Sequence, residues 1–245
     1  MAQFDSRQGG YQIVFPPFPP VIKGLIITNT VIYILQTIAG REAIEGMIHP
    51  LLALDPEKVI YHFWIWQPLT YQFLHHHADI WHLLMNMLML WFFGADLARR
   101  WGSYQFLKFY LICGYGAGII ACAVNIMMGV SAVTIGASGA IFGVLMAFGM
   151  VYPNKTVFFL LFPVPARVLV MIFAFVQLWS AGAFRSGGVA YFAHIGGMLV
   201  AWIYLTGRWN PKALLAEIRW KMRRRKFRAM QDINAPPDDD PYTFH

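Results

Sequence analysis

The chain has 245 residues, 58% hydrophobic and 13% charged, with a mean hydropathy of +0.51. A soluble domain carries roughly 25% charged residues, so an ordinary soluble protein is excluded. Several apolar stretches reach the ~20 residues that cross a bilayer, which predicts an all-α polytopic membrane protein. The net charge of +7 is local: nine of the 19 Lys and Arg lie beyond Thr206, from Arg208 to Arg228.

Residues 1–20 read as an N-terminal cytoplasmic segment. They lack a charged region followed by an apolar one, so no cleavable signal peptide is expected. Six spans follow, at about 21–39, 80–97, 104–126, 132–150, 168–184 and 188–207, and together 21–207 form the core. The long segment 40–79 is amphipathic and Trp-rich, which predicts helices lying in the membrane interface. Trp64, Trp66, Trp91 and Trp101 read as an aromatic belt rather than a binding box. Cys113 and Cys122 sit in one span and provide neither a disulfide framework nor zinc spacing. Pro153, Pro163 and Pro165 interrupt helix between spans four and five.

Beyond the last span, 208–245 reads as a basic juxtamembrane helix, over about 211–230, followed by a polar, Pro-rich, disordered end. Beside a span, the basic run fits a cytoplasmic anchor on anionic lipid better than a nucleic-acid arm, and no nucleic-acid partner is expected. Asp238–Asp240 reads as a solvated end. With both termini inside, every Lys and Arg except Arg41, Lys58 and Arg185 falls on the cytoplasmic side, a clear positive-inside pattern.

Polar groups inside a bilayer are costly and mark function by default. Span two carries His82 and Asn86 in "HLLMN", span four Ser138 in "TIGASGAIFG", and span six His194 in "AHIGG". All three spans enter from the outer face. Ser138 and His194 lie about six residues past entry, a depth of roughly 9 Å. His82 and Asn86, at i and i+4, share a helix face. Gly139 and Gly143, and Ala193 and Gly197, form small-xxx-small ridges that let spans four and six pack closely and bring Ser138 toward His194.

A serine hydroxyl becomes a useful nucleophile when an adjacent base takes its proton. His194 then serves as general base and acid. The Ser138 N–H, Asn86 and His82 supply oxyanion donors. No acid is placed to orient His194; Asp79 lies at the water boundary. A Ser–His dyad is expected, with Phe142 stacking on the imidazole. His75, His76 and His77 read as a solvated loop entry, since adjacent histidines point different ways and no carboxylate or cysteine completes a metal site.

"GASGAIFG" (136–143), "HHHADIWHLLMN" (75–86), "WQPLTYQFLH" (66–75) and "AHIGG" (193–197), in this order among six spans, resemble the rhomboid family of intramembrane serine proteases. The resemblance covers roughly 20–207. It implies a rhomboid-like helical bundle with Ser138 as nucleophile, His194 as base, and His82 and Asn86 at the oxyanion hole. Gly136, Gly139, Phe142, Gly143 and Gly197 would pack around the site. Spans two and five would form a lateral substrate gate, with Met85 and Trp179 at its entrance. It also implies single-span membrane-protein substrates and no metal or other cofactor. Two features depart from the pattern: some members carry tyrosine in place of Phe142, and the family's frequent Trp-Arg pair in the first loop is not evident here. The short chain fits a bacterial inner membrane. The competing readings are a non-catalytic rhomboid-like protein that binds membrane clients and a solute transporter. The full Ser/His set speaks against the first. The absence of internal repeats and the off-midplane polar set speak against the second.

Overall fold

The computed structural model describes residues 2–5, 10–13, 16–159, 162–183 and 189–207. Arg185, the basic run and the acidic end discussed above lie outside them. Residues 1–202 form one compact unit and 203–245 a second; the architecture below is that of the first.

Near the N-terminus, β1 (Ala2–Asp5) pairs antiparallel with β2 (Gly10–Ile13), Ala2 opposite Ile13. This pairing lies within the N-terminal segment 1–20. Helix α1 (Pro20–Ala43) starts on a proline, whose missing N–H costs nothing at a helix N-terminus, and bends at Gly40, where φ is +78°. A π-helical turn (Ile44–Ile48), α2 (His49–Leu52), α3 (Pro56–Tyr61), α4 (Gln67–Thr70) and a 3₁₀ turn (Tyr71–Phe73) follow. They are the short helices expected between spans one and two. Asp55 caps α3 by accepting from the Glu57 and Lys58 N–H groups. Trp64 stacks on Trp66 with ring centroids 4.9 Å apart, and the Lys58 ammonium lies 5.0 Å from the Trp64 ring.

Helix α5 (Ile80–Trp101) is capped by the Asp79 carboxylate, which accepts from the Trp81 N–H. Gly102, at φ +82°, separates it from α6 (Ser103–Met127). Helix α7 (Ser138–Val151) packs against α5, α6 and α8 (Ala166–Ala183); α9 is Val189–Leu205. Three helical stretches, Pro20–Leu52, Ile80–Trp101 and Ser103–Met127, are long and apolar enough to cross a membrane, and three shorter apolar helices correspond to the other predicted spans. The chain is a helical polytopic membrane protein.

Two differences from the sequence reading bear on the site. The helix of the fourth expected span, α7, starts at Ser138, six residues later than the expected 132. The preceding chain is extended: Leu54 and Thr134 exchange backbone hydrogen bonds of 3.0 and 2.9 Å, and Gly136 N–H donates to the Tyr71 carbonyl. Pairing with the first loop, rather than helix propagation, satisfies these buried groups. Between α7 and α8, the proline-containing segment forms a hairpin, β3 (Thr156–Phe159) with β4 (Phe162–Pro165), Val157 opposite Val164. Lys155 anchors its start through a 2.7 Å ion pair with Asp96 on α5.

Candidate active site

Ser138 is the first residue of α7, and no side chain caps that helix. Its backbone N–H therefore has no intrahelical partner, and the local backbone dipole favours negative charge there. Gly136, two residues earlier, has φ +121°. A Cβ there would also come within 2.9 Å of His82 Nε2. Both the backbone conformation and the approach of the imidazole require glycine at 136.

Interlocking small residues place His194. A Cβ on Gly197 of α9 would overlap the Gly139 carbonyl of α7, and one on Gly143 would lie 2.7 Å from Cys113 Cβ and 3.1 Å from the Gly197 carbonyl. A Cβ on Gly139 would lie 2.9 Å from both Ala117 Cβ and the Tyr71 hydroxyl. The helices thus meet backbone to backbone. At that separation His194 Nε2 lies 2.7 Å from Ser138 Oγ. Phe142, one turn along α7, stacks on the imidazole with centroids 4.3 Å apart and an interplanar angle of 10°.

The other ring nitrogen has a partner that the sequence reading missed. His194 Nδ1 lies 2.7 Å from Gln177 Oε1, on α8. Gln177 is buried. The signal for it was available: glutamine stands out as a polar group in the apolar run "FVQLW". Asp79, by contrast, caps α5 and is exposed, consistent with its assignment to the water boundary.

The His82 ring reaches the site beside Gly136, and Asn86 is buried one turn along α5. Asn86 Nδ2 donates 2.8 Å to the His82 carbonyl. An amide nitrogen has two hydrogens, so this bond fixes the side chain and leaves one donor. The predicted gate residues are not brought to the Ser138–His194 pair: Met85 and Trp179 are turned outward, 52% and 69% exposed.

The three adjacent histidines correct the solvated-loop expectation. His75 is fully buried, while His76 is exposed and His77 intermediate. The buried Gln36 of α1 holds the His75 backbone on both sides, with Oε1 accepting from its N–H and Nε2 donating to its carbonyl. The His75 ring sits 5.2 Å from that of His82. Burial, with His82 nearby, pushes the His75 imidazole down to about 4. Burial likewise raises the Tyr71 hydroxyl, which donates to the Gly114 carbonyl at 2.9 Å.

An apolar helical bundle with a serine–imidazole pair between two closely packed helices defines a narrow class of membrane protein. Residues 62–210, more than half of the chain, match the Rhomboid domain, and the chain belongs to the rhomboid family. It is 36% identical to the yeast (Saccharomyces cerevisiae) "Rhomboid protein 1, mitochondrial" over 131 residues, 52% of this chain and 38% of that protein. It is 28% identical to the Arabidopsis thaliana "RHOMBOID-like protein 1" over 208 residues, 74% of this chain and 51% of that one. With the Arabidopsis "RHOMBOID-like protein 4" the identity is 34% over 159 residues, 61% of this chain and 36% of that protein. The chain thus spans between about a third and a half of the length of these relatives. They are yeast and plant proteins and lend the bacterial-membrane expectation no support.

Proposed function

We propose that this rhomboid-family protein is an intramembrane serine endopeptidase that cleaves other membrane proteins in or near their transmembrane segments. Family membership supports a protease-type activity. The observation that carries the finer reading is the 2.7 Å contact between His194 Nε2 and Ser138 Oγ, with Phe142 fixing the plane of the ring.

In this mechanism Ser138 Oγ attacks the scissile carbonyl carbon as His194 Nε2 takes the hydroxyl proton. The Ser138 N–H, the free Asn86 donor and the His82 ring meet the oxyanion. Collapse breaks the C–N bond, and His194 returns the proton to the leaving amine. Water, deprotonated by the same nitrogen, then releases the acyl group and regenerates Ser138. No step calls on a metal or another cofactor. Substrate enters from the lipid side, between α5 and α8. The Lys and Arg asymmetry supports cytoplasmic termini, with the basic segment beyond Thr206 on anionic lipid.

The test is cleavage of a single-span substrate in liposomes. The wild type is expected to cleave it, while Ser138→Ala and His194→Ala, folded and inserted, do not. Full activity of Ser138→Ala would sink the assignment. A folded wild type that binds such substrates without cleaving them would establish the client-binding reading instead.

A further inference from the structure

We infer that Gln177 is a positioning residue for His194, supplied by the helix with the most lipid-exposed outer face around the site; the inference rests on the serine-protease reading above. Helix α8 buries Ala166, Leu169, Val170, Gln177 and Ala181, and exposes Met171, Phe175, Leu178 and Trp179 on its other side. Gln177 is the one polar side chain on that buried stripe among the described residues. An unpaired amide would be costly there, and its Oε1 lies 2.7 Å from His194 Nδ1.

An amide oxygen only accepts, so the facing ring nitrogen must carry the proton. Imidazole Nδ1–H therefore donates to Gln177. In the neutral ring this leaves the Nε2 lone pair directed at the Ser138 hydroxyl, 2.7 Å away. The opposite tautomer would present an N–H to Ser138 and could not take its proton. Phe142 sets the plane of the ring, and Gln177 sets its rotation within that plane and the position of its proton. When His194 is protonated in the reaction, Nδ1–H remains bonded to Oε1, which stabilises the imidazolium without a carboxylate. An orienting group that the sequence reading sought among acids is thus a neutral amide.

The position of this group on α8 has a mechanical consequence. Ser138 and His194 belong to the helices locked by Gly139, Gly143 and Gly197. Gln177 does not, so outward movement of α8 lengthens the Gln177–His194 bond while leaving Ser138–His194 intact. Full basicity at Nε2 therefore requires α8 to return after substrate entry.

Among the described residues, the titratable groups around His194, apart from Ser138, are His82 of α5 and Tyr191 on α9, whose ring lies 6.4 Å away at 80°. Neither is altered by substitutions at 177. Full-length wild type, Gln177→Met and Gln177→Glu are compared in liposomes. Methionine keeps the shape and removes the acceptor; glutamate keeps an acceptor and adds charge. Gln177→Met is expected to lower kcat about 10- to 100-fold, with KM within about twofold. Its acidic kcat limb should move to lower pH because the imidazolium loses its partner, whereas in Gln177→Glu the limb moves to higher pH.

The ¹⁵N spectrum of His194, assigned by difference with His194→Asn, provides a readout independent of activity. It is expected to show Nδ1–H in the wild type and a tautomer mixture in Gln177→Met. Acid limbs and a tautomer unchanged in the variants would overturn the inference. So would activity losses that follow only the folded fraction. If Gln177→Met does not fold, the Gln177→Glu limb decides: an upward shift supports the role and an unmoved limb overturns it. If the wild type cleaves nothing, the protease reading falls, and the wild-type tautomer still decides whether Gln177 positions the ring: Nδ1–H supports it and Nε2–H overturns it.

Discussion

Helices α7 and α8 both contribute to the site, yet they are held in different ways. From Gly139 to Gly149 every residue of α7 except Met146 is buried. In α8, Leu169, Val170, Gln177 and Ala181 face inward while Phe175 and Trp179 are 64% and 69% exposed. Ser138 thus sits on a helix enclosed on all sides. Gln177, the partner of His194 Nδ1, sits on a helix with neighbours on one side only. On the proposed mechanism, such a division would allow lipid-side access without moving Ser138 relative to His194.

The strongest way to break this contrast is to attack the enclosed helix. Ser138→Ala is expected to remove all cleavage with little change in thermal stability, because the hydroxyl leaves no large void. Gly197→Val should abolish activity differently. Its side chain meets the Gly139 backbone, which cannot rotate away, and overpacking costs on the order of 1–3 kcal/mol or more. Thermal unfolding in detergent separates the two cases: a melting temperature near that of the wild type for Ser138→Ala, and a clearly lowered one for Gly197→Val.

A smaller loss is expected at the oxyanion donors. Asn86→Ala should reduce kcat about 10²–10³-fold. Equal kcat in Asn86→Ala and the wild type would remove Asn86 from the site and leave its 2.8 Å bond to the His82 carbonyl as its whole role. Phe142→Ala removes a stacked ring worth about 0.5–1.5 kcal/mol, so a several-fold loss is expected, and Phe142→Tyr should stay near wild type. The outer face of α8 marks the other end of the scale. Phe175→Leu should change stability by less than about 0.5 kcal/mol. A large destabilisation there would show that α8 is as enclosed as α7.

The pattern of what the sequence reveals follows from the same physics. Polar residues in apolar spans stand out because a bilayer gives them nothing to bond with. Ser138, His194, His82 and Asn86 are legible on that ground, and the glycine ridges that bring the first two together are legible from their small-xxx-small spacing. Gln177 is equally visible as a polar group in an apolar span, but a neutral amide carries no sequence signal that marks it as the orienting partner of an imidazole. The start of α7 was not legible. Hydrophobicity runs unbroken through residues 132–150, and only pairing of Thr134 with Leu54 and the left-handed backbone at Gly136 show where helix begins. Nor does the sequence distinguish His75 from its two neighbours. Its backbone is held by Gln36, a residue 39 positions earlier in the chain. The hairpin at 156–165 was hidden because its prolines announce only an end to helix.

The central claim is that Ser138 is an activated nucleophile. It is tested most directly by exposing the purified protein in mild detergent to a fluorophosphonate and locating the adduct by peptide mass spectrometry. The account predicts a single phosphonylated side chain, Ser138, and its absence from His194→Ala. A folded protein that acquires no adduct, or one modified at another residue with Ser138 untouched, would contradict it.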